Sequence, residues 1–322
     1  MGRMWWVAGG GAVGGGTGRR PGAGQPLRTM IHHRPLSSPP LLAPDSSGGG
    51  QPPRRAHLVQ SDTVWEDRAA NFKQVDALLA GVAVRPGDLV LVPEMFDTGF
   101  SFNLSRTADT DGATLEYLCG LARRLGCVVQ GARTVIGPDG RGRNAAPVIG
   151  PDGAVLVEYH KVHPFSFGKE SEHFSGGERV VCYDLPAAGV DGTGVRVCPA
   201  ICYDLRFPEV FRLGLMRGAE VFAVSANWPS VRQMHRHTLA RARAIENQAV
   251  VLCLNRAGRD PTLVYDGGTA AYDAKGELLG ELGSGAAVLS VELDQTAIRG
   301  WRATFPAWRD GRLSPVGPLR GM

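Results

Sequence analysis

The sequence holds no run of about 18 apolar residues, so no helical membrane span and no membrane partner are expected. Excess charge is also missing. The net charge is only +4 over 322 residues, and part of it comes from the N-terminal segment, which leaves no basic footprint for a nucleic-acid partner. There is no glycine-rich phosphate loop and no internal repeat. The six cysteines, Cys119, Cys127, Cys182, Cys198, Cys202 and Cys253, lie mostly inside apolar runs and lack the spacing of a disulfide framework, which reads as reduced thiols in a cytoplasmic protein. Zinc-type spacing is absent too. His160 and His163 flank a lysine, His235 and His237 sit in RQMHRHT, and Cys198 with Cys202 is not the usual short knuckle, so neither metal nor cofactor is expected.

Residues 1–55 have no Asp or Glu before Asp45, are rich in Gly, Pro, Ser and Arg, and show no hydrophobic period, which predicts a disordered leader. Its MWWVAGGGAVGGG stretch is too glycine-rich for a good signal core, and no convincing cleavage site follows. An Arg-rich, acid-poor leader also resembles an organelle transit peptide. A start assigned too far upstream would look the same, and Met30 or a later point is favoured as the true beginning.

Order is expected from residue 56, in one domain over 56–309, with a tail over 310–322. AHLVQ reads as a strand, Trp65 to Leu79 as a helix, and DLVLVPE as a buried strand that Pro93 ends, delivering Glu94 at its C-terminal edge. Helix Ala113 to Leu125 closes on Gly126, and strands NAAPVIG and AVLVEYH join through a Gly-Pro-Asp-Gly turn. The second of these strands ends at Lys161. The loop PFSFGKESEHFSGGE is too polar for core, and loops of such length are usually functional. EVFAVSANWP is a strand spilling into a loop at Asn227, followed by helix Gln233 to Asn247, strand VVLCLN, a hairpin over Gly268 to Leu282, and a last strand ending at Leu293. The remainder, FPAWRDGR included, reads as a C-terminal arm. Alternating strands and helices with interspersed hairpins predict an α/β sandwich with mixed sheets.

The chemistry centres on VRVCPAICYDLRFPEVFRLGLMR. An apolar run breaks at Cys202, and helical spacing begins after Asp204, with Val210, Leu213 and Met216 on one face and Pro208 near the first helical position. Cys202 is thereby placed at a strand-to-helix turn, where unpaired N–H groups and the helix dipole would lower a thiol pKa. The plain alternative is a buried cysteine acting as a small hydrophobe. Glu94 and Lys161 stand past strand ends in the same way, and ligand sites in α/β sheets gather there. A cysteine nucleophile needs a base for its proton and a cation for the oxyanion, and carboxylate plus ammonium supply both. A Cys-His hydrolase using His173 or His235 would leave Glu94 and Lys161 idle.

PEMFDTGFSF around Glu94, YHKVHPF around Lys161 and CPAICYDLRFPE around Cys202 resemble the three signatures of the nitrilase superfamily of carbon–nitrogen hydrolases. SANWPSVRQMHRHTLARARAIENQAVVLCLNRAG and YDGGTAAYDAKGE extend the likeness, which is nearest to the bacterial omega-amidase branch. The resemblance implies a four-layer α-β-β-α sandwich and a homodimer or higher homo-oligomer. It makes Cys202 the nucleophile, Glu94 the general base, Lys161 the oxyanion cation and the Tyr203 backbone N–H the second oxyanion donor. A further glutamate, Glu170 or Glu172, would position lysine and substrate, and spacing to Gly176-Gly177 favours Glu170. The implied substrate is a small acid amide such as 2-oxoglutaramate or 2-oxosuccinamate. Its remote carboxylate needs a cation, for which Arg232, beyond Trp228 in the ANWP loop, comes first and Arg206 second. Arg206 and Asp204 also read as a structural ion pair and cap, and Glu246 and Asn247 as helix-packing residues. Arg236 departs from the family, where tryptophan follows the histidine, and is expected on the pocket rim or the surface. The alternatives are another amidase of the superfamily, acting on deaminated glutathione or an N-carbamoyl amide, and a silent scaffold on the same fold.

Overall fold

Apolar runs in this chain are short, three to eight residues between turns, and such runs bury both faces only by stacking sheets against each other and against helices. The computed structural model describes residues 53–185, 194–314 and 317–318, so the expectations for the leader up to residue 52 and for the end of the tail lie outside the described residues. The strands are β1 (Arg54–Gln60), β2 (Leu89–Leu91), β3 (Val128–Gln130), β4 (Arg133–Ile136), β5 (Gly142–Ile149), β6 (Val155–His160), β7 (Tyr183–Leu185), β8 (Val195–Ile201), β9 (Val221–Ala226), β10 (Val250–Asn255), β11 (Ala257–Arg259), β12 (Val264–Asp266), β13 (Ala270–Tyr272), β14 (Leu278–Glu281) and β15 (Ala287–Leu293). One sheet runs β15-β1-β2-β3-β5-β4, with β6 also on β5. The other runs β14-β13-β10-β9-β8-β7. Each has a parallel trio at its centre, β1-β2-β3 and β8-β9-β10, flanked by antiparallel neighbours.

Three hydrophobic clusters make the layering explicit. Leu58, Leu89 and Leu91 of one sheet interdigitate with Val197, Val221 and Leu252 of the other, forming the sheet-to-sheet core. Val90 and Val129 point the opposite way, toward Val75 and Leu79 of helix Arg68–Ala80 and Leu118 and Leu121 of helix Ala113–Leu125. Cys198, Ala200, Phe222 and Val224 likewise face Phe211 and Leu215 of helix Pro208–Met216 and Ala240 and Ala244 of helix Gln233–Asn247. Three interfaces between four layers make an α-β-β-α sandwich, as the period-two alternation within β2 and β8 requires.

Several sequence-based expectations shift. The first helix begins at Arg68 rather than Trp65, because the Asp67 side chain caps it by accepting from the Ala70 N–H. Helix Pro208–Met216 buries Val210, Phe211, Gly214 and Leu215, so its inward face is rotated from the expected Val210, Leu213 and Met216. The C-terminal arm contains a helix, Gln295–Thr304, capped by Asp294 and packed through Ile298 and Trp301 on the inter-sheet core. The supposedly polar loop after Lys161 is partly core: it folds into a 3₁₀ turn (Ser166–Gly168) and one helical turn (Glu170–His173), with Glu170 and Phe174 buried. No helix among the described residues is long and apolar enough to cross a membrane.

Candidate active site

Glu94, Lys161 and Cys202 follow β2, β6 and β8, so the fold carries all three to one edge of the sandwich. Glu94 is fully buried. Its Oε1 accepts from Lys161 Nζ at 2.8 Å and from Asn144 Nδ2 at 2.7 Å, and its Oε2 accepts from the Asn227 N–H at 2.8 Å. Lys161 Nζ also donates to Glu170 Oε2 at 2.7 Å, and the Phe165 N–H donates to the same oxygen at 2.6 Å. Glu172 is exposed, whereas Glu170 is thus buried against Lys161. Lys169 adopts a left-handed conformation (φ 65°) just before it, which turns the helical step inward.

Cys202 opens a 3₁₀ turn (Cys202–Arg206) with φ 45°, a conformation non-glycine residues seldom adopt. Asp204 braces that turn. Its Oδ2 accepts from Tyr159 Oη at 2.7 Å and from the Ile201 N–H at 3.1 Å, and its Oδ1 from the His163 N–H at 3.0 Å. Asp204 is thus a structural brace, held from three elements, and Arg206 is not its partner. The Cys202 thiol lies 3.9 Å from the Asn227 carbonyl and within hydrogen-bonding reach of Glu94.

The sequence profile of the carbon–nitrogen hydrolase family matches residues 55–303. The chain belongs to that family. Among its relatives, the omega-amidase YafV of Yersinia enterocolitica is 36% identical over 79% of this chain and 94% of its own length. The 2-oxoglutaramate amidase of Bacillus subtilis is 29% identical over 79% and 96%. A CN-hydrolase superfamily protein from Xanthomonas campestris, solved with an arsenic adduct in its active site, superposes with a TM-score of 0.74 at 35% identity, covering 80% of this chain and 97% of its own. An amidase from Nesterenkonia sp. AN1, solved after acrylamide had added to its active site cysteine, superposes at 0.67 with 27% identity over 79% and 98%.

In this carbon–nitrogen hydrolase the thiol pKa moves opposite to the helix-terminus expectation. Burial raises it, the Glu94 carboxylate raises it further, and Lys161 only partly offsets the two, so the resting group is a neutral thiol. Burial opposes the Lys161 ammonium, but the carboxylates of Glu170 and then Glu94 outweigh it and hold the lysine charged. Glu170 is pushed up by burial and by Glu94, against the pull of Lys161.

The thiol opens on a pocket walled by Phe100, Phe165, Tyr203, Asn227, Trp228 and Tyr265, with Arg206 and Arg232 beside them. Arg206 stacks over Trp228 at 4.9 Å and touches His235 Nδ1 at 3.4 Å. Arg232 lies over Phe165 at 5.5 Å. Among the described residues neither guanidinium meets a carboxylate. Trp228 is locked by its indole N–H donating to the Arg232 carbonyl at 2.8 Å. Arg236 is neither rim nor surface. It is fully buried, donating to the carbonyls of Cys253, Gly267 and Gly268, so here it ties its helix to β10 and to the loop between β12 and β13. Glu246 and Asn247 stay within their helix, as expected, bonded to Arg243. His173 stacks on Phe102 and His235 is exposed, which leaves the Cys-His alternative no base in contact with the thiol.

Two site residues escaped sequence reasoning. Asn144 pairs across β5 and β6 with Lys161, whose N–H donates to the Asn144 carbonyl, and its Nδ2 bridges Glu94 and Glu170 at 2.7 and 3.1 Å. A lone polar residue opening the apolar strand NAAPVIG was the available signal. Asn227 holds Glu94 through its backbone N–H, and both polar atoms of its buried side chain lack a protein partner.

Proposed function

We propose that the chain is an omega-amidase: it releases ammonia from the terminal amide of a short dicarboxylate monoamide through a Cys202 thioester. The observation that carries this reading is the Cys202 thiol between a buried Glu94–Lys161–Glu170 cluster and a pocket lined by two guanidiniums that meet no carboxylate among the described residues. Glu94 takes the thiol proton as sulfur attacks the amide carbon, while Lys161 and the Tyr203 backbone N–H receive the oxyanion. The proton then passes to the departing nitrogen, ammonia leaves, and Glu94 activates the water that opens the thioester. Glu170 and Asn144 keep the ammonium and the base in register, and the unpartnered Asn227 amide gives the substrate a donor and an acceptor. The similar omega-amidase and 2-oxoglutaramate amidase support the substrate class. Arg232 is assigned to the remote carboxylate, with Arg206 beside it and Trp228 as the wall between.

The test is a steady-state panel on purified protein. Hydrolysis of 2-oxoglutaramate and succinamate should exceed that of butyramide, nitriles and N-carbamoyl compounds. Arg232→Ala should narrow the gap mainly through a KM raised about tenfold or more. Equal or better rates with uncharged amides would overturn the omega-amidase reading and leave the thioester chemistry standing. We further place the enzyme in the cytoplasm, supported by its six unbridged cysteines, and as a homodimer, supported by the family resemblance and tested by light scattering.

A further inference from the structure

Two of the cysteines are used by no step of this chemistry and face each other. Tyr183 pairs with Val197 in the antiparallel register of β7 and β8, and continuing that register by one residue sets Cys182 opposite Cys198. Opposed residues in such a ladder have Cα atoms about 4.5 to 5.5 Å apart, inside the range a disulfide spans. Both side chains lie in the same cluster under helix Pro208–Met216, and each thiol bears on the ionisation of the other. Their surroundings differ. Cys198 is fully buried, with its S–H also 3.7 Å from the Pro199 carbonyl, and it is hemmed on the helix side, where a Cβ on Gly214 would come within 2.8 Å of its sulfur. Cys182 is only half-buried, immediately before β7, the last strand of its sheet. The neighbouring Cys198 thiol favours its thiolate, and the Arg196 and Arg217 guanidiniums add to this against burial.

We propose that Cys182 and Cys198 form a reversible dithiol–disulfide site oxidised by hydroperoxides, with Cys182 as the attacking sulfur and Cys198 as the resolving one. The Cys182 thiolate attacks one peroxide oxygen. The O–O bond breaks, a sulfenic acid forms, and the other oxygen leaves as hydroxide, which takes the thiol's proton to become water. Cys198 then attacks the Cys182 sulfur, an S–S bond forms, and the sulfenic oxygen leaves as a second water with the Cys198 proton. Two thiols lose one electron each, and the peroxide takes both. Because the pair already sits in register, the link staples the edge strand to the strand that delivers Cys202 without displacing it.

The experiment treats the full chain with hydrogen peroxide, as wild type and as Cys202→Ser so that the active-site sulfur cannot react. Free thiols are then blocked with iodoacetamide and the digest is mapped by mass spectrometry. The expected result in both proteins is a Cys182–Cys198 linked peptide pair, two hydrogens lighter and reversed by dithiothreitol, with Tm raised by roughly 5 °C. In Cys198→Ala, dimedone should label Cys182. The proposal is overturned if Cys182 proceeds to sulfinic or sulfonic acid while Cys198 stays reduced, if neither thiol reacts before Cys119 does, or if the label falls elsewhere in Cys198→Ala.

Discussion

Asp88 and Glu94 flank the same three-residue strand, β2, and both carboxylates are fully buried and bonded to cations or N–H donors. At the entry of the strand, Asp88 accepts from the Arg55 N–H at 2.8 Å, the Arg85 N–H at 2.9 Å and His57 Nε2 at 3.2 Å. Burial would raise its pKa, but the backbone donors of Arg55 and Arg85 overcome that and hold it below the usual carboxylate range. The Cys127 thiol near it is buried in the helix-facing core and lines no described pocket. At the exit, Glu94 has fewer donors, one of them an ammonium shared with a second carboxylate, and the Cys202 thiol and a pocket lie beside it. Burial and pairing alone therefore do not single out the carboxylate proposed as the base. The mark is an unfinished neighbourhood, one that still has a proton to exchange and room for a substrate.

Mirrored substitutions would break this contrast if it is wrong. Glu94→Gln and Cys202→Ala should each lower kcat/KM by about a thousandfold or more with Tm within roughly 2 °C, since Gln keeps the shape and Ala removes little packing. Activity above about a hundredth of wild type in either variant would show that the assigned base or nucleophile is not essential. Asp88→Ala should do the reverse, leaving kcat/KM of the folded enzyme near wild type while costing about 3 kcal/mol, seen as a Tm lower by about 10 °C. With its folded pKa below the unfolded value of about 3.9, the stability Asp88 contributes is complete above about pH 4 and fades as pH falls further, so the Tm gap should close in acid.

How much of this contrast could be read from sequence depends on distance along the chain. Helices Ala113–Leu125 and Gln233–Asn247 have the bounds their patterns predict, because their signals are local; Gly126 takes the left-handed cap that ends the first. The helix at Gln295–Thr304 carried an equally local signal, the Asp294 cap, hidden by the polar character of the segment. Strands of three residues, such as β7, are too short to show a period. The convergence of Glu94, Lys161 and Cys202 was legible because each stands past a strand end. The burial of Glu170 was not, because a charged residue is read as solvated until its partners arrive, and one of them, Asn144, is far off in sequence. The thiol pKa failed for the same reason. A dipole argument uses only neighbours in sequence, whereas burial under residues distant in the chain sets the sign and Glu94 adds to it.

Two smaller effects sharpen the comparison. Asn144→Ala removes the donor that bridges the two catalytic-side carboxylates, and kcat should fall about tenfold with KM little changed, measured on the best amide. An unchanged kcat would show that Lys161 alone keeps the cluster in order. The weakest signal is in alkylation. Inactivation by iodoacetamide should keep accelerating with pH beyond the free-thiol pKa of about 8.5, since the Cys202 pKa is raised and its thiolate fraction is still growing there. A rate already level below pH 7 would instead indicate a preformed thiolate.

The left-handed backbone at Cys202 also limits what evolution or an engineer can place there. A branched β-carbon is a steric outlier at φ 45°, so threonine, a nucleophile in other hydrolases, is closed to this turn, and serine is the hydroxyl that fits. Glycine would relax the backbone most of all and carries no chemistry. The residue that would make this turn most comfortable is thus one without a side chain, and the turn keeps a sulfur in spite of that strain.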